Sequence, residues 1–181
     1  MTYWMRHQVI GLVMLVACLG GGAAGAFAQQ GGADGDSQLG AFIGKWSETG
    51  QSRSTPTAAF GSLTGDETCA WFSGGPSVVC RETTKDGSGE VDGIYILGYD
   101  ASRKVYTMAG TDNNGALYSG TGTVEKDVWH WTAEMRAGGA VTPMRYTFRA
   151  AGSGARTMDA EVATGKGAFA KVTSVTYKRA K

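Results

Sequence analysis

The sequence predicts an all-β protein: an antiparallel up-and-down β-barrel of about ten strands, preceded by a short N-terminal helical turn. Three observations lead there. Turn signals recur at intervals of roughly 12 to 14 residues. The segments between them, among them IYILGY, KVYTMAG, DVWHWTAEM, MRYTFRA and KVTSVTY, are rich in β-branched and aromatic residues that suit a pleated, half-buried surface. No stretch beyond residue 28 sustains a helical period.

The first 28 residues are of another kind. Arg6, the apolar run Val9 to Leu19 and the small-x-small site Ala26-Phe27-Ala28 read as a secretory signal peptide, cleaved before Gln29. A second reading starts from Leu15-Val16-Ala17-Cys18, which resembles the lipobox of bacterial lipoproteins and would place a lipid anchor at Cys18. Either way the domain is exported, periplasmic or secreted. The apolar run falls short of the roughly 20 residues of a membrane span, so no transmembrane segment is expected. Residues 29–38 read as a disordered linker and 39–181 as a single domain, long enough for a real core.

Charge narrows the partners. The chain carries 17 basic and 16 acidic residues, and its longest basic cluster is Lys178, Arg179 and Lys181. Attraction to nucleic acid or to an anionic membrane has little support in such a balance.

Taken in order, Asp36-Ser37 caps a turn through Leu39, Ala41 and Phe42. A strand follows from Ile43, and a long one runs from Thr57 to Phe72. Turns then fall at Gly74-Gly75, 85–89, 100–103, 112–115, 125–127, Gly138-Gly139, 152–154 and 165–167. A meander of this length has exposed edges unless it closes, which favours a barrel over a two-sheet sandwich.

Only Cys69, Cys80 and His130 remain beyond the leader as soft ligands. Their spacing fits no zinc pattern, and no metal or other cofactor is expected. With Gly74-Gly75 as a two-residue turn, Cys69 falls opposite Cys80, which predicts a cross-strand disulfide in an exported chain.

The same counting orients the side chains. Around Gly138-Gly139, Trp131 lies opposite Tyr146 and Trp129 opposite Phe148, with Met144 and Ala133 on that face. His130, Thr132, Glu134, Arg145, Thr147 and Arg149 take the other. Centring the earlier hairpin at Ala101-Ser102 places Leu97 opposite Tyr106 and Tyr95 opposite Met108. The aromatic face is expected inside and His130 outside. Tyr95, Tyr106, Met108, Trp129, Trp131, Met144, Tyr146 and Phe148 are therefore the candidate lining of a small-ligand cavity, although the same side chains suit simple core packing. Glu67 and Glu82 also fall opposite each other. Such a pair can raise a carboxyl pKa, but the expectation is solvent-facing strand ends. No catalytic constellation is present, and the protein is not expected to be an enzyme.

The segment LGAFIGKWSETG, with Gly44-Lys45-Trp46, resembles the Gly-x-Trp first strand of the calycins, the lipocalins and fatty-acid-binding proteins. VTSVTYKRAK resembles their closing strand, which implies that Arg179 or Lys178 packs over Trp46. WFSGGPSVVC and LGYDASRKVY resemble an uncharacterised family of exported bacterial proteins, domain of unknown function 1579. The resemblance implies a lipocalin-like barrel holding a small hydrophobic molecule. Val175 and Tyr177 stand where fatty-acid-binding proteins carry Arg-x-Tyr, and 51–56 is too short for their helical lid. An envelope scaffold with a filled barrel is the alternative, and a haem or enzymatic site around His130 a third.

Overall fold

The computed structural model describes residues 38–73, 75–151 and 154–180. The leader, Cys18, most of the linker and the Asp36-Ser37 cap lie outside the described residues. A 3-10 turn at Leu39–Phe42 leads into ten strands. These are β1 (Gly44–Ser52), β2 (Gly61–Trp71), β3 (Val78–Asp86), β4 (Gly89–Asp100) and β5 (Val105–Asp112), followed by β6 (Leu117–Glu125), β7 (Val128–Ala137), β8 (Ala140–Ala150), β9 (Ala155–Gly165) and β10 (Ala168–Arg179). Each pairs antiparallel with its sequence neighbours, and β1 pairs with β10, closing the barrel.

The Trp hairpin has the expected register: Trp131 faces Tyr146 and Trp129 faces Phe148, while His130 is exposed on the outer surface. Cys69 faces Cys80, and a disulfide joins them. Gly74 lies outside the described residues, and the rest of the turn can be followed. Gly75 N–H donates to the Phe72 carbonyl at 2.8 Å, and it is Ser73 that takes the left-handed conformation, at φ 47°. Phe72 N–H still bonds the Ser77 carbonyl, so the pairing survives.

Two expectations need correcting. β2 starts at Gly61 rather than Thr57, because Thr55 accepts from Ala58 N–H and folds 53–60 into a loop. The hairpin after β4 has four loop residues instead of two. Asp100 Oδ1 accepts the backbone N–H groups of Ser102 (3.0 Å) and Arg103 (3.1 Å), and the first cross-strand pair is Asp100 with Val105. Leu97 therefore faces Met108, Tyr99 faces Tyr106 and Tyr95 faces Gly110. The shift is by two residues. An even shift keeps every side chain on its face, so Tyr95, Tyr106 and Met108 still point inward.

One end of the barrel is plugged by the 3-10 turn. Leu39 and Phe42 are fully buried among Val78, Leu97, Tyr106, Trp129 and Trp131. Phe42 meets Trp129 edge-on, with ring centroids 5.0 Å apart, and the Trp46 indole N–H donates to the Phe42 carbonyl at 2.9 Å. Arg179 lies over the Trp46 ring at 4.7 Å and donates to the Ile43 carbonyl. Its space depends on Gly44, where a Cβ would come within 2.8 Å of the guanidinium and where φ is +136°. The Gly-x-Trp pattern thus has a mechanical meaning here: it seats the closing strand's arginine on the first strand's tryptophan. A register shift between Lys171 and Thr173 lets β10 turn Val172, Val175 and Tyr177 all inward.

Candidate functional site

The interior is more than an aromatic core. Trp46 and Glu48 on β1, Glu67 and Cys69 on β2, and Cys80 and Glu82 on β3 alternate inward. Cross-strand pairing sets Glu67 beside Glu82, and Glu48 beside Tyr177 of β10, which in turn faces Arg156 of β9. Oxygens of Glu48, Glu67 and Glu82 come within 4.8 Å of one another. Glu67 and Glu82, expected at solvent-facing strand ends, instead project into the barrel; Glu67 is 1% exposed. The cysteines set their parity, since each glutamate lies two residues from a cysteine whose side chain points inward.

Glu67 is fully partnered. Arg156 Nη2 donates to its Oε1 and the Tyr95 hydroxyl to its Oε2, while Oε1 also lies 3.2 Å from the disulfide sulfur of Cys69. The rest of the Arg156 guanidinium has no hydrogen-bond acceptor at Nε or Nη1. It is enclosed by ring faces instead, 4.5 Å from the centroids of both Trp46 and Tyr177 and 5.1 Å from Phe42. A desolvated cation gains from aromatic quadrupoles part of what it loses in acceptors.

Glu48 is in the opposite position. It is 2% exposed, and neither of its oxygens has a hydrogen-bond partner of good geometry. Its neighbour Glu82 can bond it only when one of the two carries a proton. Burial, then the charges of Glu82 and Glu67, push the Glu48 carboxyl up to about 10. Burial and the Glu67 charge raise Glu82 to about 7, against hydrogen bonds from Glu48 and Tyr177. Glu67 is also raised by burial, with Arg156 and Tyr95 opposing. Desolvation disfavours each charge and the carboxylates disfavour one another, so the Glu48–Glu82 pair retains a proton at neutral pH.

Space lies next to this pair. Gly93 of β4 is the cross-strand partner of Glu82 and points inward with it; a Cβ there would meet only the Thr111 carbonyl, at 3.9 Å. Gly65, opposite Glu48, also leaves its inward position without a side chain, although there the Thr83 carbonyl would lie 2.6 Å from a Cβ. Glu82, Tyr95, Met108 and Tyr146 retain partial exposure although strands surround them on every side. In a closed barrel that exposure faces the interior. Tyr146 reaches the region from β8, its hydroxyl donating to Met144 Sδ at 3.3 Å, and burial followed by the charge of Glu82 raises its pKa.

The candidate residues read from the sequence therefore divide. Tyr106, Trp129 and Trp131 are at most 5% exposed and pack around the plug, where the two indoles stack 6.0 Å apart. Phe148 touches Phe42 and Tyr177. Tyr95 and Tyr146 stand nearer the carboxyls, Tyr95 bonding Glu67 and Tyr146 feeling the Glu82 charge, while Met108 packs against the plug. Glu48 and Arg156 escaped sequence reasoning, although Glu48 shares the parity of Trp46. A separate cleft of about 500 Å³ opens at the plugged end, lined by Gln38, Trp46, Asp127, Arg149 and Arg179 among others. It touches the interior site only through Arg156 and the rings around it. His130 cannot reach the interior from the outer face. Of the acidic groups close enough to share a cation, Glu67 is already held by Arg156 and Tyr95, and the cysteines beside it are joined as a disulfide.

A closed antiparallel barrel with one plugged end and an arginine over the first-strand tryptophan is a lipocalin-like, calycin-type barrel. The chain belongs to the family described as a protein of unknown function, DUF1579, whose profile matches residues 35–179. Its fold is similar to the crystal structure of Rv2717c from M. tuberculosis, with a TM-score of 0.62 and 13% identity over 82% of this chain and 99% of that one. It is also similar to the S-type phycobiliprotein lyase CPES from Guillardia theta, with a TM-score of 0.54 and 13% identity over 77% of this chain and 88% of the other. No curated protein sequence matches the chain.

Proposed function

We propose that this is an exported, non-enzymatic binding protein that holds one small aromatic or apolar molecule inside its barrel. The observation that carries the reading is the open inward position at Gly93 beside partly exposed Glu82, Tyr95, Met108 and Tyr146. Apolar walls with a few convergent polar groups are the usual make-up of a small-molecule pocket. Tyr106, Trp129 and Trp131 then serve as the packed floor, and Tyr95, Met108, Met144 and Tyr146 as the walls. The disulfide is in keeping with an oxidising compartment.

A filled-barrel scaffold is the second reading, favoured by the dense aromatic packing around Phe42. Titration with apolar fluorescent naphthalene probes separates the two. Saturable binding at one site per chain, lost on filling the Gly93 position with valine, supports the cavity. Absence of binding by every probe makes the protein a scaffold.

A further inference from the structure

We infer that the molecule held in this barrel carries a protonated amine, which the Glu48 and Glu82 carboxyls receive. The inference rests on the binding reading above and specifies its chemistry.

Four observations lead to it. First, the interior holds more carboxyls than cations. Three carboxyls, Glu48, Glu67 and Glu82, surround one guanidinium, and Arg156 is committed to Glu67. Second, Glu48 is 2% exposed and no donor group of the protein reaches either oxygen; only a proton shared with Glu82 bridges it. Buried carboxyl oxygens are almost always hydrogen-bonded, and a group left without partners stands where a donor is missing. Third, room for that donor exists on the correct side, because Gly93 opens the inward position next to Glu82. Fourth, the walls suit an organic cation better than a metal ion. Tyr146 and Met108 offer ring and thioether surface, whereas a divalent ion would want more oxygen ligands and would sit close to the Arg156 charge. An ammonium group supplies up to three donors, enough to bond Glu82 beside the Gly93 opening and replace the proton it shares with Glu48. The raised carboxyls add a consequence: a cation seated there favours their ionised forms and expels the proton that the pair retains.

The test uses a matched pair of probes, 1-naphthylmethylamine and 1-naphthalenemethanol, which differ in the ammonium group. Calorimetric titration of the intact protein at pH 7.5 is expected to show the amine binding at least tenfold tighter than the alcohol. Repeating the amine titration in buffers of different ionisation enthalpy is expected to show about one proton released per molecule bound, and the alcohol none. In the double variant Glu48→Gln, Glu82→Gln the ratio of amine to alcohol affinity should shrink below threefold. Glutamine is isosteric, and a thermal melt of the variant checks that it folds before the two affinities are compared. Equal binding of amine and alcohol overturns the amine inference and leaves the cavity standing. A preference that survives in the double variant also overturns it. Failure of both probes, together with the apolar probes above, removes the cavity itself.

Discussion

Arg156 and Glu67 form an ion pair across the barrel interior, 89 residues apart in sequence and nearly inaccessible to solvent at both ends. Neither charge can be solvated without the other. Removing the guanidinium alone, as in Arg156→Met, strands Glu67 among Tyr95, Glu48 and Glu82, and is expected to cost on the order of 3–5 kcal/mol. The double variant Arg156→Met, Glu67→Gln should recover more than half of that loss. Urea denaturation of the two variants measures both numbers, and equal losses would show that the stranded Glu67 charge is not the source of the cost.

The carboxyl cluster also sets the direction of pH dependence. Glu82 and Glu48 have folded-state pKa values raised to about 7 and about 10, above the unfolded value near 4.5. The folded protein therefore holds protons that the unfolded chain has given up. Their contribution is fully present below the unfolded pKa and is lost as pH rises through the folded values. Stability is expected to fall as pH rises from about 5 toward about 10, while the folded pair still holds protons that the unfolded chain has lost. Glu48→Gln should flatten the alkaline part of the curve and stabilise the protein at pH 9. Urea midpoints measured every half unit of pH would show either the slope or its absence.

Two inward glycines give opposite expectations for added methyl groups. At Gly93 a Cβ meets nothing closer than 3.9 Å, so Gly93→Val should fold with near-normal stability and lose probe binding. At Gly120 a Cβ would lie 2.5 Å from the Thr132 carbonyl and 2.7 Å from Ala133 Cβ. Gly120→Val is expected to destabilise by about 2 kcal/mol or more through strand displacement. Thermal melts paired with probe titration distinguish a filled cavity from a broken sheet.

The Cys69–Cys80 disulfide closes a short loop, with a sequence separation of 11. Replacing both cysteines with alanine should cost about 3 kcal/mol by the chain-entropy estimate. Because Glu67 Oε1 contacts the Cys69 sulfur, the variant should also alter the titration of the interior carboxyls. Alkylation without reductant is expected to leave the mass unchanged, whereas two reactive thiols would contradict the disulfide.

Several features were already written in the sequence. Turn residues at regular intervals determined an antiparallel meander, because glycine, asparagine and aspartate reverse a chain locally whatever surrounds it. Cys69 opposite Cys80, Trp131 opposite Tyr146, and His130 facing outward followed from counting alone, since side chains alternate with a period of two. Even the misplaced hairpin after β4 kept Tyr95 and Tyr106 inside, because its error was an even number of residues.

The interior polarity was decided by tertiary structure. Glu48, Glu67, Glu82 and Arg156 lie on four strands separated by up to about a hundred positions, and nothing local distinguishes a buried glutamate from a solvated one. Composition favoured the surface, because a carboxylate is ordinarily far more stable in water than in a protein interior. Closure of β1 on β10 reversed that preference. It brought Arg156 to Glu67 beneath the rings of Trp46 and Tyr177, where a compensating charge, hydroxyl donors and retained protons make burial tolerable. The order of strands was thus determined by local chain reversals. The chemistry of the interior arose only where distant strands met.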